Sequence, residues 1–118
     1  MITSALLCLT LNIYHESRGE SEEVQEAVAA VTMNRVREYR LHICKVVTSP
    51  SAFSWTRKPN KPIKEKIAFE KAKIIARSYL SGKSNRKVGG RLYFNEKRLG
   101  KRFKTKYKPI VLGKLVMY

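Results

Sequence analysis

Tyr14-His15-Glu16-Ser17-Arg18-Gly19-Glu20 joins two segments that read as helices, and its reading decides the fold. Upstream, a first helix is expected from Met1 to Ser17, with Ser4 able to cap it. Ala5, Leu6, Leu9 and Ile13 mark one face, and Leu7, Leu11 and Tyr14 widen it, so this helix should be buried on most sides. Gly19 ends it. Downstream, Ser21 to Arg37 carries the clearest helical pattern. Ser21 is a good N-cap, and Glu22 and Glu23 stand in the first turn, where the helix dipole favours negative charge. Val24, Ala27, Val28, Val31 and Arg35 repeat at helical spacing.

The rest of the chain is more broken. Glu38 to Pro50 reads as a connector with a short apolar piece, Ile43 to Val47. Ser49 to Trp55 then places Phe53 and Trp55 among three serines and a proline. The two aromatics read either as a stacking surface for sugars or bases, or as core anchors of a long loop. Thr56 to Pro62 is rich in Pro and Lys, and Pro62 suits the first turn of a helix. A third helix is expected from Ile63 to Ser81, with Ile67, Ala68, Ile74, Ile75 and Tyr79 inside and Gly82 as its stop. Leu92-Tyr93-Phe94 suits a strand. Ile110 to Tyr118 reads as a closing hairpin turning at Gly113-Lys114. The expected architecture is α+β: a single domain over 1–118, mostly helical, with a small β element late in the chain.

Composition narrows the function. The chain has 118 residues and a formal net charge of +16. Residues 1–54 hold 5 Lys+Arg against 6 Glu, a net of −1, and residues 55–118 hold 20 against 3, a net of +17. A basic half of this size implies a polyanionic partner. There is no Asp, which excludes the Ser-His-Asp triad and the Asp-rich calcium loop. Cys8 and Cys44 allow one bridge, but sequence does not show whether they meet; two buried reduced thiols are the favoured expectation. The apolar run Ala5–Leu11 is too short to span a bilayer and lacks the basic start of a signal peptide.

Two chemistries can be set on the opening stretch. A zinc site of the His-Glu-x-x-His type fails, because the position of the second His is Gly19, so no metal and no cofactor is expected. Glu16 as a general acid fares better. It lies in the last turn of an apolar helix, where burial and the negative end of the dipole both raise a carboxyl pKa. Arg18 would pull the other way if it pointed at Glu16. Glu20 is the natural second carboxylate for glycoside hydrolysis, or it complements the dipole of the following helix or pairs with Arg18.

The same residues carry a family resemblance. Tyr14 to Glu20, followed by Gln25-Glu26-Ala27-Val28-Ala29-Ala30-Val31-Thr32-Met33-Asn34-Arg35-Val36, resembles the cell-wall hydrolases of the spore-cortex-lytic (SleB/CwlJ) type. Those domains carry Glu-Ala-Arg-Gly-Glu and a helix ending in Asn-Arg-Val. The likeness continues through Cys44-Lys45-Val46-Val47, Ala52-Phe53-Ser54-Trp55, Leu92-Tyr93-Phe94-Asn95 and Ile110-Val111-Leu112-Gly113. It departs where Ser17 replaces an Ala and Leu115 stands where the family has a His. The resemblance implies a lysozyme-like fold and lytic transglycosylase action on peptidoglycan. Glu16 would be the catalytic acid and base; Glu20, Asn34, Ser54, Trp55, Tyr93 and Asn95 would line the substrate groove.

A catalytic domain at this charge, without a signal peptide, fits a phage endolysin. It would be made in the host cytoplasm and act as a monomer in the periplasm or cell wall after release. Peptidoglycan strands would be its substrate, and the anionic envelope surface, lipopolysaccharide or phospholipid, would hold its basic half. Two other readings stand beside it. One is a hydrolytic muramidase using Glu16 and Glu20. The other is a nucleic-acid-binding module using the 100–108 stretch with Trp55, Phe103 and Tyr107, which no specific nucleic-acid motif supports and which leaves the Glu16–Glu20 stretch unexplained.

Overall fold

The first helix, α1 (Ala5–Ser17), starts after its Ser4 cap, later than the expected Met1, and ends at Ser17 as expected. The Ser4 hydroxyl accepts from the Leu7 amide at 3.3 Å, and Gly19 leaves the helix at φ +84°. Cys8, Leu9, Ile13 and Tyr14 have no exposed surface, which makes α1 the central rod of the core. The buried Tyr14 hydroxyl accepts from the backbone amides of Lys64 (3.2 Å) and Glu65 (3.1 Å), just ahead of the last helix. That contact supplies acceptors to donors that a helix start leaves unsatisfied. These statements belong to a computed structural model that describes residues 4–49, 53, 55, 62–100 and 102–118.

Helix α2 (Glu22–Tyr39) starts at Ser21, whose hydroxyl accepts from the Val24 amide at 3.3 Å. It runs two residues past the expected end at Arg37, until Arg40 turns left-handed at φ 53°. The apolar piece of the expected connector, Ile43 to Val47, folds as a short helix, α3 (Ile43–Thr48). At six residues it is too short to present a helical period. A disulfide between Cys8 and Cys44 staples α3 to α1, with Cα atoms 5.3 Å apart. This overturns the expectation of two reduced thiols: both cysteines are buried, but they are bonded to each other.

Helix α4 spans Lys66–Leu80, so Pro62 to Glu65 precede it as non-helical chain instead of forming its first turn. Its packed face is Ala72, Ile75, Ala76 and Tyr79, an i, i+3, i+4, i+7 set. Ile67 and Ile74, expected inside, are 77% and 63% exposed. The small side chains of Ala72 and Ala76 let α4 approach α1 closely and set the phase of the helix. Gly82 stops it at φ +106°.

Among the described residues, three short strands follow the helices: β1 (Phe94–Glu96), β2 (Ile110–Leu112) and β3 (Leu115–Met117). They form an antiparallel sheet in the order β1-β3-β2. Leu112 pairs with Leu115, so Gly113 and Lys114 are the two-residue turn that the sequence predicts, with Gly113 at φ +57°. β1 lies two residues later than expected. The amides of Leu92 and Tyr93 still bond to the Tyr118 carbonyl, at 2.9 and 3.2 Å. Leu112, Leu115 and Met117 bury against the helices. Among the described residues the architecture is the expected α+β arrangement, four α-helices with a small late sheet.

Candidate active site

Glu16 sits one residue from the C-terminus of α1, at the edge of a cleft of about 760 Å³. Two elements wall this cleft. The end of α1 and its exit contribute Glu16, Arg18 and Glu20; the end of β1 and the hairpin turn contribute Glu96, Lys97, Arg98 and Gly113 to Leu115. The two parts of the sheet wall are tied together, because the Lys97 amide donates to the Lys114 carbonyl at 2.7 Å. The turn also rests on the helical wall. A Cβ on Gly113 would lie 2.9 Å from Val24 Cγ2 and 3.2 Å from Glu20 Oε1, so this position needs glycine for space as well as for its φ.

The last turn of α1 is braced from behind. The His15 ring stacks on Trp55 at 4.8 Å and meets Tyr14 edge-on at 5.0 Å. Trp55 Nε1 donates to Asn12 Oδ1 at 2.7 Å, and Asn12 Nδ2 donates to Thr32 Oγ1 at 3.0 Å. A buried polar chain therefore links the aromatic loop, α1 and α2, and satisfied groups of this kind fix a single arrangement.

Burial pushes the Glu16 carboxyl up to about 7. Arg35 pulls against that rise and Glu96 adds to it. The cation facing Glu16 is thus Arg35 of α2. Arg18 is engaged elsewhere: its Nε lies 3.3 Å from Glu65 Oε2 and its guanidinium lies over the Tyr14 ring. Arg35 is itself buried, which lowers its pKa, and it is held firmly. Its Nε donates to the Leu92 carbonyl at 2.6 Å, and its guanidinium lies 4.9 Å from the ring centres of both Phe53 and Tyr93. Glu96 pairs with Arg98 at the cleft mouth.

The other expected site residues fall as follows. Glu20 stands in the cleft with Glu16. Asn95 is on β1 opposite Val116, one residue before Glu96 and so on the other side of the pleat. Tyr93 stacks on Phe103 at 4.9 Å with planes 9° apart and also carries Arg35. Trp55 is 7% exposed and backs His15. Asn34 donates to the carbonyls of Gly89 and Arg91, both at 2.8 Å, and lines a separate, smaller cavity. Ser54 lies outside the described residues.

Sequence reasoning missed Arg35 and Glu96 as groups that act on Glu16. A signal for Arg35 was present: it is a cation on the buried face of the α2 pattern, where an apolar residue is expected. For Glu96 the signal was fainter, one of only three carboxylates in the basic half.

A carboxyl that titrates near neutrality on the wall of an open cleft can give up a proton to a bound substrate and take one back. The family model for cell wall hydrolases matches residues 19–118, and the chain belongs to that family. It is accordingly an enzyme of cell wall degradation, with peptidoglycan as its substrate. The match opens at Gly19, so it covers Glu20, Arg35 and Glu96 and begins three residues after Glu16. Neither the curated proteins nor the solved structures give a match. Among the described residues, no helix is long and apolar enough to cross a membrane.

Proposed function

We propose that this chain cleaves the β-1,4 bond between N-acetylmuramic acid and N-acetylglucosamine as a lytic transglycosylase, with Glu16 as its one acid and base. The observation that carries the reading is the Glu16 carboxyl, raised to about 7 by burial on the wall of the cleft. At neutral pH a large share of it is protonated. It gives its proton to the glycosidic oxygen, and the bond to the muramic-acid anomeric carbon breaks. The resulting carboxylate takes the proton of the sugar's own 6-hydroxyl, whose oxygen closes an anhydro ring on that carbon. The proton count balances, and no water is consumed. Arg35 supports the carboxylate during the interval in which it is charged.

A hydrolytic muramidase is the second reading, favoured by the presence of Glu20 in the same cleft. There a second carboxylate would activate water or form a glycosyl-enzyme. The nucleic-acid reading gives no part to Glu16. The Cys8–Cys44 bridge supports action in an oxidising compartment, in keeping with an endolysin at the periplasmic wall. A single domain over 1–118, working as a monomer held near its substrate by the anionic envelope, completes the proposal.

Clearing of purified sacculi tests the acid. Glu16→Gln should lower kcat/KM about 10²–10⁴-fold, the usual contribution of a positioned acid or base. A variant that clears as fast as the parent would remove Glu16 from the mechanism.

A further inference from the structure

From Arg102 to Pro109 the chain forms a strap that is neither helix nor strand along the edge of the sheet. Its accessibility alternates at the cations. Arg102, Lys104, Lys106 and Lys108 are exposed, whereas Thr105 and Tyr107 are half-buried. The strap is pinned at both ends. Phe103, although 40% exposed, stacks on Tyr93 and meets Tyr118 edge-on at 5.4 Å. Tyr107 fits over Gly90, where a Cβ would lie 2.2 Å from its hydroxyl oxygen. Its amide donates to Thr105 Oγ1 at 3.1 Å, and Arg91 Nε donates to the Lys108 carbonyl at 2.9 Å. Among the described residues, no carboxylate pairs with these four cations. A fixed row of unneutralised cations repels itself, and an anionic partner relieves that repulsion.

Position in the fold identifies the partner. Lys97 and Arg98 line the catalytic cleft, and the chain reaches the strap a few residues later. Phe103 of the strap stacks on Tyr93, and Tyr93 carries Arg35, the cation that acts on Glu16, so ring contacts join the strap to the catalytic residue. A polymer whose sugars occupy the cleft would extend past it, and the peptides on peptidoglycan carry free carboxylates. We propose that Arg102, Lys104 and Lys106 form a non-catalytic subsite that holds the peptide carboxylates of the strand being cleaved. This deepens the reading of the cleft as a peptidoglycan site and rests on it.

Co-sedimentation of the full chain carrying Glu16→Gln tests the subsite without cleavage. Three ligands are compared: intact sacculi, the same glycan stripped of peptides, and anionic phospholipid vesicles. The strap variant R102Q/K104Q/K106Q should weaken binding to sacculi roughly tenfold and leave binding to stripped glycan unchanged. The variant K66Q/K71Q/R77Q, which removes the same charge from exposed positions on α4, should change sacculus binding by less than about twofold. Equal losses from both variants would overturn the proposal in favour of a diffuse field. An equal loss on stripped glycan, or a loss on vesicles alone, would also overturn it. If the strap variant behaves as expected while the active parent releases no cleaved sugar, the cleavage reading fails and the subsite stands.

Discussion

The two walls of the cleft differ in what fixes them and in what they supply. The helical wall is set by the core: α1 is buried along most of its length, disulfide-bonded to α3 and braced by His15, Trp55 and Asn12. In the proposed mechanism it supplies the proton. The sheet wall is three short strands and a turn, rich in exposed cations and held to the helices by Leu112, Leu115 and Met117. It supplies charge: Glu96 beside the acid, then Lys97, Arg98 and Lys114 at the mouth. The contrast teaches that a rigid, dry support raises the pKa of the acid, while a cation of the helical core, Arg35, and an anion of the sheet wall, Glu96, adjust it in opposite directions.

The largest effect should come from weakening the helical wall. Cys8→Ser removes a bridge between residues 36 apart in sequence. It should lower unfolding free energy by about 2–4 kcal/mol, read by denaturant titration, while leaving kcat/KM near the parent's well below the melting temperature. A loss of stability well under about 1 kcal/mol would mean that packing alone holds α3 on α1.

Next comes the stability cost of the acid itself. A carboxyl whose folded pKa lies near 7, above its ordinary 4.5, binds its proton more tightly when folded. Stability should therefore fall as pH rises from about 4.5 to 7, by about 3 kcal/mol, and stay low above that window. Glu16→Gln has no such dependence. It should exceed the parent in stability at pH 8 and gain nothing at pH 4; equal stability at both would mean that Glu16 is solvated.

The smallest effects should separate the walls by sign. The proposed mechanism makes protonated Glu16 the active form, so kcat/KM should decline on the alkaline side of its pKa, near 7. Arg35→Gln removes the cation that lowers this pKa and should move the alkaline limb to higher pH. Glu96→Gln removes the anion that raises it and should move the limb to lower pH. Shifts in the same direction would show that the two charges do not act on Glu16 as opponents.

What could be read in advance follows the range of the interactions. Ser4, Ser21, Gly19 and the Gly113-Lys114 turn act within a few residues, and each stands where its sequence neighbours required. The helix-end position and the raised carboxyl of Glu16 were legible because its apolar approach is local too. The phase of α4 was not, because Ile67 and Ile74 satisfy a helical period as well as Ala72 and Ile75 do; only the partner surface of α1 chooses between them. Helix α3 was too short to carry a period. The disulfide, the Arg35 stack between Phe53 and Tyr93, and the approach of Glu96 to Glu16 join distant parts of the chain. A single sequence holds no local trace of such pairings beyond an anomalous charge on a buried face.

The chemical outcome at the anomeric carbon tests the central claim most directly. Sacculi digested in heavy-oxygen water and analysed by mass spectrometry should yield muramic acid ends closed as anhydro rings, with no label incorporated. Reducing ends carrying one labelled oxygen would contradict a single carboxyl acting alone and would bring Glu20 into the mechanism beside Glu16.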